Sequence, residues 1–142
     1  MKYFRSLLFA AAVLALGAAA NAQHAVIKAD VPFNFMVGDK LHPAGEYSVA
    51  KIATQSSVLQ IHNQSVSESD LFQTIACSSN APKNTTKLVF ERTGSVYSLR
   101  QIWVAGSEFG WEVGNQKRTE TRLAFNGVKT EELIVAANLI GR

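Results

Sequence analysis

The sequence predicts an all-β domain, an antiparallel β-sandwich or a partly open β-barrel, with one short helix near its C-terminal third. Two observations carry that expectation, and a third says what must stabilise it. Apolar and polar residues alternate with period two through most of the chain after residue 25. Strand-length runs are separated by polar, turn-forming stretches, residues 64–69 and 78–85 among them. Cys77 is the single cysteine, so no intrachain disulfide forms and the core alone must hold the fold.

The chain begins with a segment that does not belong to the fold. Lys2 and Arg5 give a basic start, and residues 6–20 (SLLFAAAVLALGAAA) are apolar. Ala20-Asn21-Ala22 puts small residues where a signal peptidase reads them, so residues 1–22 are expected to be cleaved between Ala22 and Gln23. The run falls short of the about 20 apolar residues of a spanning helix and no basic stop follows it. The mature chain is therefore expected to be secreted or periplasmic, with no transmembrane segment. The residue directly after the cut is Gln23 and not a cysteine, which argues against a lipid anchor. Residues 23–142 form one expected β domain, a length that fits a single core. Without Lys2 and Arg5, twelve basic residues face eleven acidic ones. Lys117-Arg118 is the only adjacent basic pair, so the stripe needed to hold nucleic acid is missing.

The elements follow in order. Phe33, Phe35 and Val37 share one face of an alternating run, with Asn34 and Met36 on the other. Gly38-Asp39 makes a reversal, Gly38 supplying positive φ. Pro43 pre-sets a type I turn from His42 to Gly45. Pro32 lacks an amide donor and places its strand at an edge or at the start of pairing. Every conspicuous residue of VPFNFMVGDKLHPAGEYSV thus has a backbone reason. Tyr47, Val49 and Lys51 alternate with Ser48, Ala50 and Ile52, and Leu59 and Ile61 share a side of the next run.

Residues 71–77 read as a strand in which Cys77 joins Leu71 and Ile75 on one face, as a buried small apolar residue. In KLVFERTGSVYSLRQIWV, a Thr93-Gly94 loop pairs Phe90 with Tyr97 and Leu88 with Leu99, at the cost of opposing Lys87 to Arg100. Thr is a poor first residue for a type I′ turn, which leaves a bulged loop as the alternative. Residues 106–115 form a glycine-punctuated loop carrying Phe109 and Trp111. Residues 116–125 (QKRTETRLAF) space Arg118, Arg122 and Phe125 for the short helix. Residues 133–140 read as a final buried strand.

Two resemblances attach to these motifs. The pattern V-P-F-x-F-x-V-G, then P-A-G-x-Y-x-V, then LVF-x-R-x-G-x-x-Y-x-L-x-x-I-W resembles an uncharacterised group of short exported proteins of soil bacteria. That resemblance implies a single β domain and carries no activity. P-A-G-x-Y-x-V is also similar to the turn and strand of carboxypeptidase-regulatory-like and collagen-adhesin B-type sandwiches, a fold-level analogy.

Chemistry is sparse. His24, His42 and His62 form no H-x-H or H-x-x-x-H pair, no serine sits in G-x-S-x-G, and no cofactor or metal site is expected. His24 becomes a copper ligand only if cleavage falls after Asn21 or after Gln23 instead. Glu108 and Glu112, flanking Phe109 and Trp111, come closest to a carboxylate pair but lie on a predicted surface loop. No catalytic residue is expected. The expectation is an exported non-catalytic domain with a structural or protein-interaction role in the envelope or outside the cell. The alternative is a small ligand-binding module, holding carbohydrate through Trp103, Phe109 and Trp111 or an apolar ligand inside a barrel. Neither the protein partner nor the oligomeric state is legible.

Overall fold

The computed structural model describes residues 25–114 and 130–141. The predicted signal peptide, His24 and the helix predicted at 116–125 all lie outside the described residues. Among the described residues the regular elements are ten β-strands. They are β1 (Val26–Val31), β2 (Phe35–Val37), β3 (Lys40–His42), β4 (Gly45–Lys51) and β5 (Val58–Asn63), followed by β6 (Glu68–Ser78), β7 (Lys87–Thr93), β8 (Val96–Trp103), β9 (Phe109–Val113) and β10 (Thr130–Ile140).

Eight of these strands close on themselves in the cyclic order β1-β4-β5-β6-β9-β8-β7-β10, each antiparallel to both neighbours. Closure corrects the sandwich expectation, and the two 11-residue strands are its cause. β6 pairs with β5 through residues 68–73 and with β9 through 74–78. β10 pairs with β7 through residues 130–136 and with β1 through 137–140. Each long strand therefore runs on from one half of the molecule into the other, and the barrel has no free edge at those corners. Val31 is likewise not on an isolated edge strand: β1 lies between β4 and β10.

Strand alternation points the apolar set inward. In β1, Ile27, Ala29 and Val31 are buried while Lys28 and Asp30 are exposed. Tyr47, Val49, Leu59, Ile61, Phe72, Leu88, Phe90, Leu99, Ile102 and Val113 complete the interior. An apolar lumen with charges outside is the reverse of a barrel built to face lipid.

The hairpin of β2 and β3 stands outside the closed circuit and plugs one end of it. It belongs to the excursion between β1 and β4, and joins β8 through a single parallel pairing, Met36 with Ser98. Phe35 enters the barrel fully buried, its ring 5.0 Å from Tyr47 and 5.2 Å from Phe90, both edge-on. Phe33 stacks on Tyr97 at 4.2 Å and meets Phe90 edge-on at 5.2 Å. Offset-stacked and edge-to-face rings at such distances each add about 0.5–1.5 kcal/mol beyond burial. The predicted common face of Phe33, Phe35 and Val37 is thus the face that fills the barrel mouth.

Three local expectations are corrected. The β7–β8 loop is Gly94-Ser95, closed by Thr93 opposite Val96, with Gly94 at φ 63°. Glycine at the first central position, followed by an ordinary φ, fits a type II′ turn, so threonine never enters the turn. Phe90 then faces Leu99, and a bulge at Arg100 resets the ladder so that Leu88 faces Ile102 and Lys87 faces Trp103. The like-charge pair of the predicted register disappears.

In β6 the opposite face is buried. Phe72 lies across from Leu59, whereas Leu71 lies across from Gln60 and is 61% exposed. Ile75 is 65% exposed and Cys77 is partly exposed, so Cys77 is no core residue. β10 is half-buried only: Leu133, Val135 and Ala137 pack on the core while Ile134 and Ile140 face outward.

Candidate functional site

One polar cluster lies where the plug meets the barrel wall. Gly38, at φ 60°, and Asp39 turn β2 into β3. β3 then carries Lys40 and His42 on one face, two residues apart, with Leu41 on the other, 62% exposed. On β6, Glu68 and Asp70 share a face in the same way. β3 and β6 are not hydrogen-bonded neighbours, yet these four side chains converge. Lys40 Nζ sits 2.9 Å from Glu68 Oε1 and 2.6 Å from Asp70 Oδ2. His42 Nε2 faces the same Asp70 oxygen at 3.7 Å. Beside them opens a cleft of about 390 Å³ lined by residues 37–40, His42, residues 70–73 and Gly114.

His42 is the unusual member. It is 6% exposed, its ring stacks on Phe35 with centroids 5.5 Å apart, and Nε2 has no hydrogen-bond partner. Burial pushes its imidazole below the usual histidine range, with Asp70 pulling the other way. The hydrogen bonds to Asp70 and Glu68 raise the Lys40 ammonium above its ordinary value. The arrangement holds a neutral imidazole against a carboxylate that a surface lysine covers.

Behind the cluster, side chains lock the chain's path. Tyr47 donates its hydroxyl hydrogen to Pro43 O at 2.5 Å and accepts from Asn63 Nδ2 at 2.8 Å. Asn63 Oδ1 accepts from the amide of Ser65, and Asn34 Oδ1 accepts from the amide of Ala44. The Pro43-Ala44 segment is thus a bend held by side chains, where the sequence predicts a hydrogen-bonded type I turn. Burial raises the Tyr47 phenol, with the Asn63 amide opposing it.

A second pocket, of about 370 Å³, surrounds the bulge at Arg100 and is lined by Glu91, Glu112 and Glu132 among others. Arg100 is 8% exposed, with Nη2 3.5 Å from Glu112 Oε1. Glu112 therefore serves the arginine, and it lies on strand β9, not on a loop.

The predicted aromatic residues are held apart. Trp103 is 6% exposed and lies against Gly110, where an added Cβ would sit 2.7 Å from its ring. Lys83 Nζ covers it at 4.8 Å, and its indole nitrogen donates to Gln101 Oε1. Trp111 pairs with the core residue Ile102, on the opposite face of the sheet, and Lys51 Nζ lies 5.2 Å from its ring. Phe109 is 67% exposed. Trp103 and Trp111 thus lie on opposite faces of the sheet.

His62 is engaged with Ser69 Oγ at 2.8 Å, and burial, then Glu112, pushes the Cys77 thiol up, away from the reactive thiolate. Among the described residues no three His, Cys, Asp or Glu side chains are grouped to hold a metal ion.

In the sequence His42 reads as a turn residue, and Lys40, Glu68 and Asp70 belong to no motif. The available signal was K-x-H and E-x-D, each a same-face pair on a strand. Nothing in the sequence brings those strands together.

No protein-family model, no curated protein and no solved structure matches the chain.

Proposed function

We propose that this chain is an exported, non-catalytic β-barrel domain that acts as a structural or protein-interaction module in the cell envelope or outside the cell. One observation carries the reading: the barrel spends its interior on itself. Phe33, Phe35, Tyr47, Phe90 and Tyr97 occupy one another's faces and edges. Such an interior favours a rigid support over a lumen for cargo, so recognition falls to the outer surface. The basic start, apolar run and Ala20-Asn21-Ala22 support export. The resemblance of V-P-F-x-F-x-V-G and P-A-G-x-Y-x-V to short exported proteins agrees with it.

A second reading, a small ligand-binding module, is favoured by the cleft beside His42. Its volume of about 390 Å³ falls within the roughly 300–1,000 Å³ of ligand pockets.

N-terminal sequencing of the chain expressed with its leader in a bacterial host tests export, with Gln23 expected first. Native mass spectrometry of the secreted product is expected to give the bare polypeptide mass. A cytoplasmic, uncleaved chain overturns the export reading. A lipid retained through purification and released only on unfolding overturns the rigid-support reading.

A further inference from the structure

We infer that the cleft between β3 and β6 is a binding site for an alkylammonium or guanidinium group, which takes the place that Lys40 holds on Asp70 and Glu68. The inference rests on reading the chain as a binding domain and names the chemistry of what it binds.

Charge comes first. Glu68 and Asp70 share the one ammonium of Lys40 at the edge of the cleft, so this pair of carboxylates is short of one positive charge. The second observation is independent of charge. His42 Nε2 is buried without a hydrogen-bond partner and faces Asp70 Oδ2 at 3.7 Å. A neutral imidazole protonated on Nδ1 presents a lone pair at Nε2. Two acceptors at that spacing suit one nitrogen that carries two or more N–H donors and bridges them. A buried polar atom with no partner is costly, and a donor that completes it recovers that cost.

The walls supply the rest of the recognition. Val37 and Phe72 are buried and Leu71 is exposed along the cleft, so an aliphatic stem has apolar surface to lie on. Lys40 already shows the binding mode: an alkyl chain ending in an ammonium that reaches two carboxylates. Its side chain is 51% exposed, so it can swing into solvent and leave the carboxylates to a competitor. A free amine and the Lys or Arg side chain of a protein partner offer the same group.

The test is an amide-resolved NMR titration of the mature chain with butylammonium chloride, with a blocked tripeptide bearing one lysine, and with tetramethylammonium chloride. Tetramethylammonium carries the charge without N–H donors. Saturable shifts at residues 37–42 and 70–73 are expected with the first two and not with the third, in the millimolar range that so few heavy atoms permit. Lys40→Met removes the internal competitor and is expected to tighten butylammonium about 1.5- to fivefold, the range of an exposed ion pair. Asp70→Asn is expected to abolish the shifts. If Asp70→Asn fails to fold, the gain in Lys40→Met decides alone. A peptide that binds at least about tenfold tighter than the amine identifies the source as a protein side chain, and equal affinity identifies a free amine. The inference is overturned by no saturable shift, by equal response to tetramethylammonium, or by unchanged affinity in Lys40→Met. A protein partner whose cross-links fall elsewhere, with a silent cleft, would sink this inference and leave the interaction reading standing.

Discussion

Replacing Phe35 with alanine removes the side chain that ties the plug to the barrel. Phe35 is fully buried and touches Tyr47, Phe90 and His42, so the variant loses its transfer energy and leaves a cavity bounded by three rings. Buried Phe→Ala changes cost about 3–5 kcal/mol. The upper half of that range applies because the neighbouring rings sit on three separate strands and cannot collapse together. A single domain has about 5–15 kcal/mol to lose. Phe35→Ala is therefore expected to fold but to melt roughly 16–20 °C lower, at roughly 4 °C per kcal/mol for this chain length. Urea unfolding followed by far-UV circular dichroism measures it, with the slope unchanged and the midpoint lowered. Leu41→Ala on the same hairpin is the control; Leu41 is 62% exposed, and the change is expected within about 0.5 kcal/mol. If Phe35→Ala costs less than about 1 kcal/mol, the hairpin is an ornament on the barrel and not its plug.

The remaining expectations concern the polar network and one close contact. Tyr47→Phe keeps the ring against Phe35 but strands the Asn63 amide and the Pro43 carbonyl; equilibrium unfolding is expected to show a loss of about 1–3 kcal/mol. His42 titrates below the ordinary histidine value in the fold, so the unfolded chain binds the extra proton. Its contribution is complete above about pH 6.5, is lost as pH falls toward the folded value, and is constant below that. The urea midpoint followed from pH 8 to pH 4.5 is expected to decline through that window, and His42→Gln is expected to flatten the decline; an identical profile in the variant would remove the assignment. Gly110→Ala drives a methyl to within 2.7 Å of the Trp103 ring and the Ile102 carbonyl oxygen, so about 1–3 kcal/mol of overpacking strain is expected. Tryptophan emission shifted to the red in that variant would report the displaced ring.

Much of the fold was readable because period-two alternation is a local signal. Phe33 with Phe35, Tyr47 with Val49, and Leu59 with Ile61 each sit on the predicted face, and all but the half-buried Phe33 are core residues. The errors arose where two faces had comparable greasiness. Leu71, Ile75 and Cys77 outweigh Phe72 and Thr74 by hydropathy, but the β5–β6 register places Phe72 opposite the buried Leu59 and turns the greasier set outward. A single-residue slip in a hairpin reverses every face. The setting of Trp103 has a different origin. Its burial comes from Gly110 on β9 and from Lys83, contacts that the sequence does not bring together.

The local chain, then, determined by itself that this protein is built of strands, where Gly38 and Gly94 reverse it, and which residues of β2, β4 and β5 face inward. Those are properties of one to ten consecutive residues, written in alternation and in the sterics of positive φ. Closure of the barrel and the meeting of Lys40 and His42 with Glu68 and Asp70 were decided only in three dimensions. Both depend on long strands that change partners midway and on a plug seated against a strand to which it is not hydrogen-bonded. Such pairings are chosen by the packing of the whole core, which no window of sequence contains.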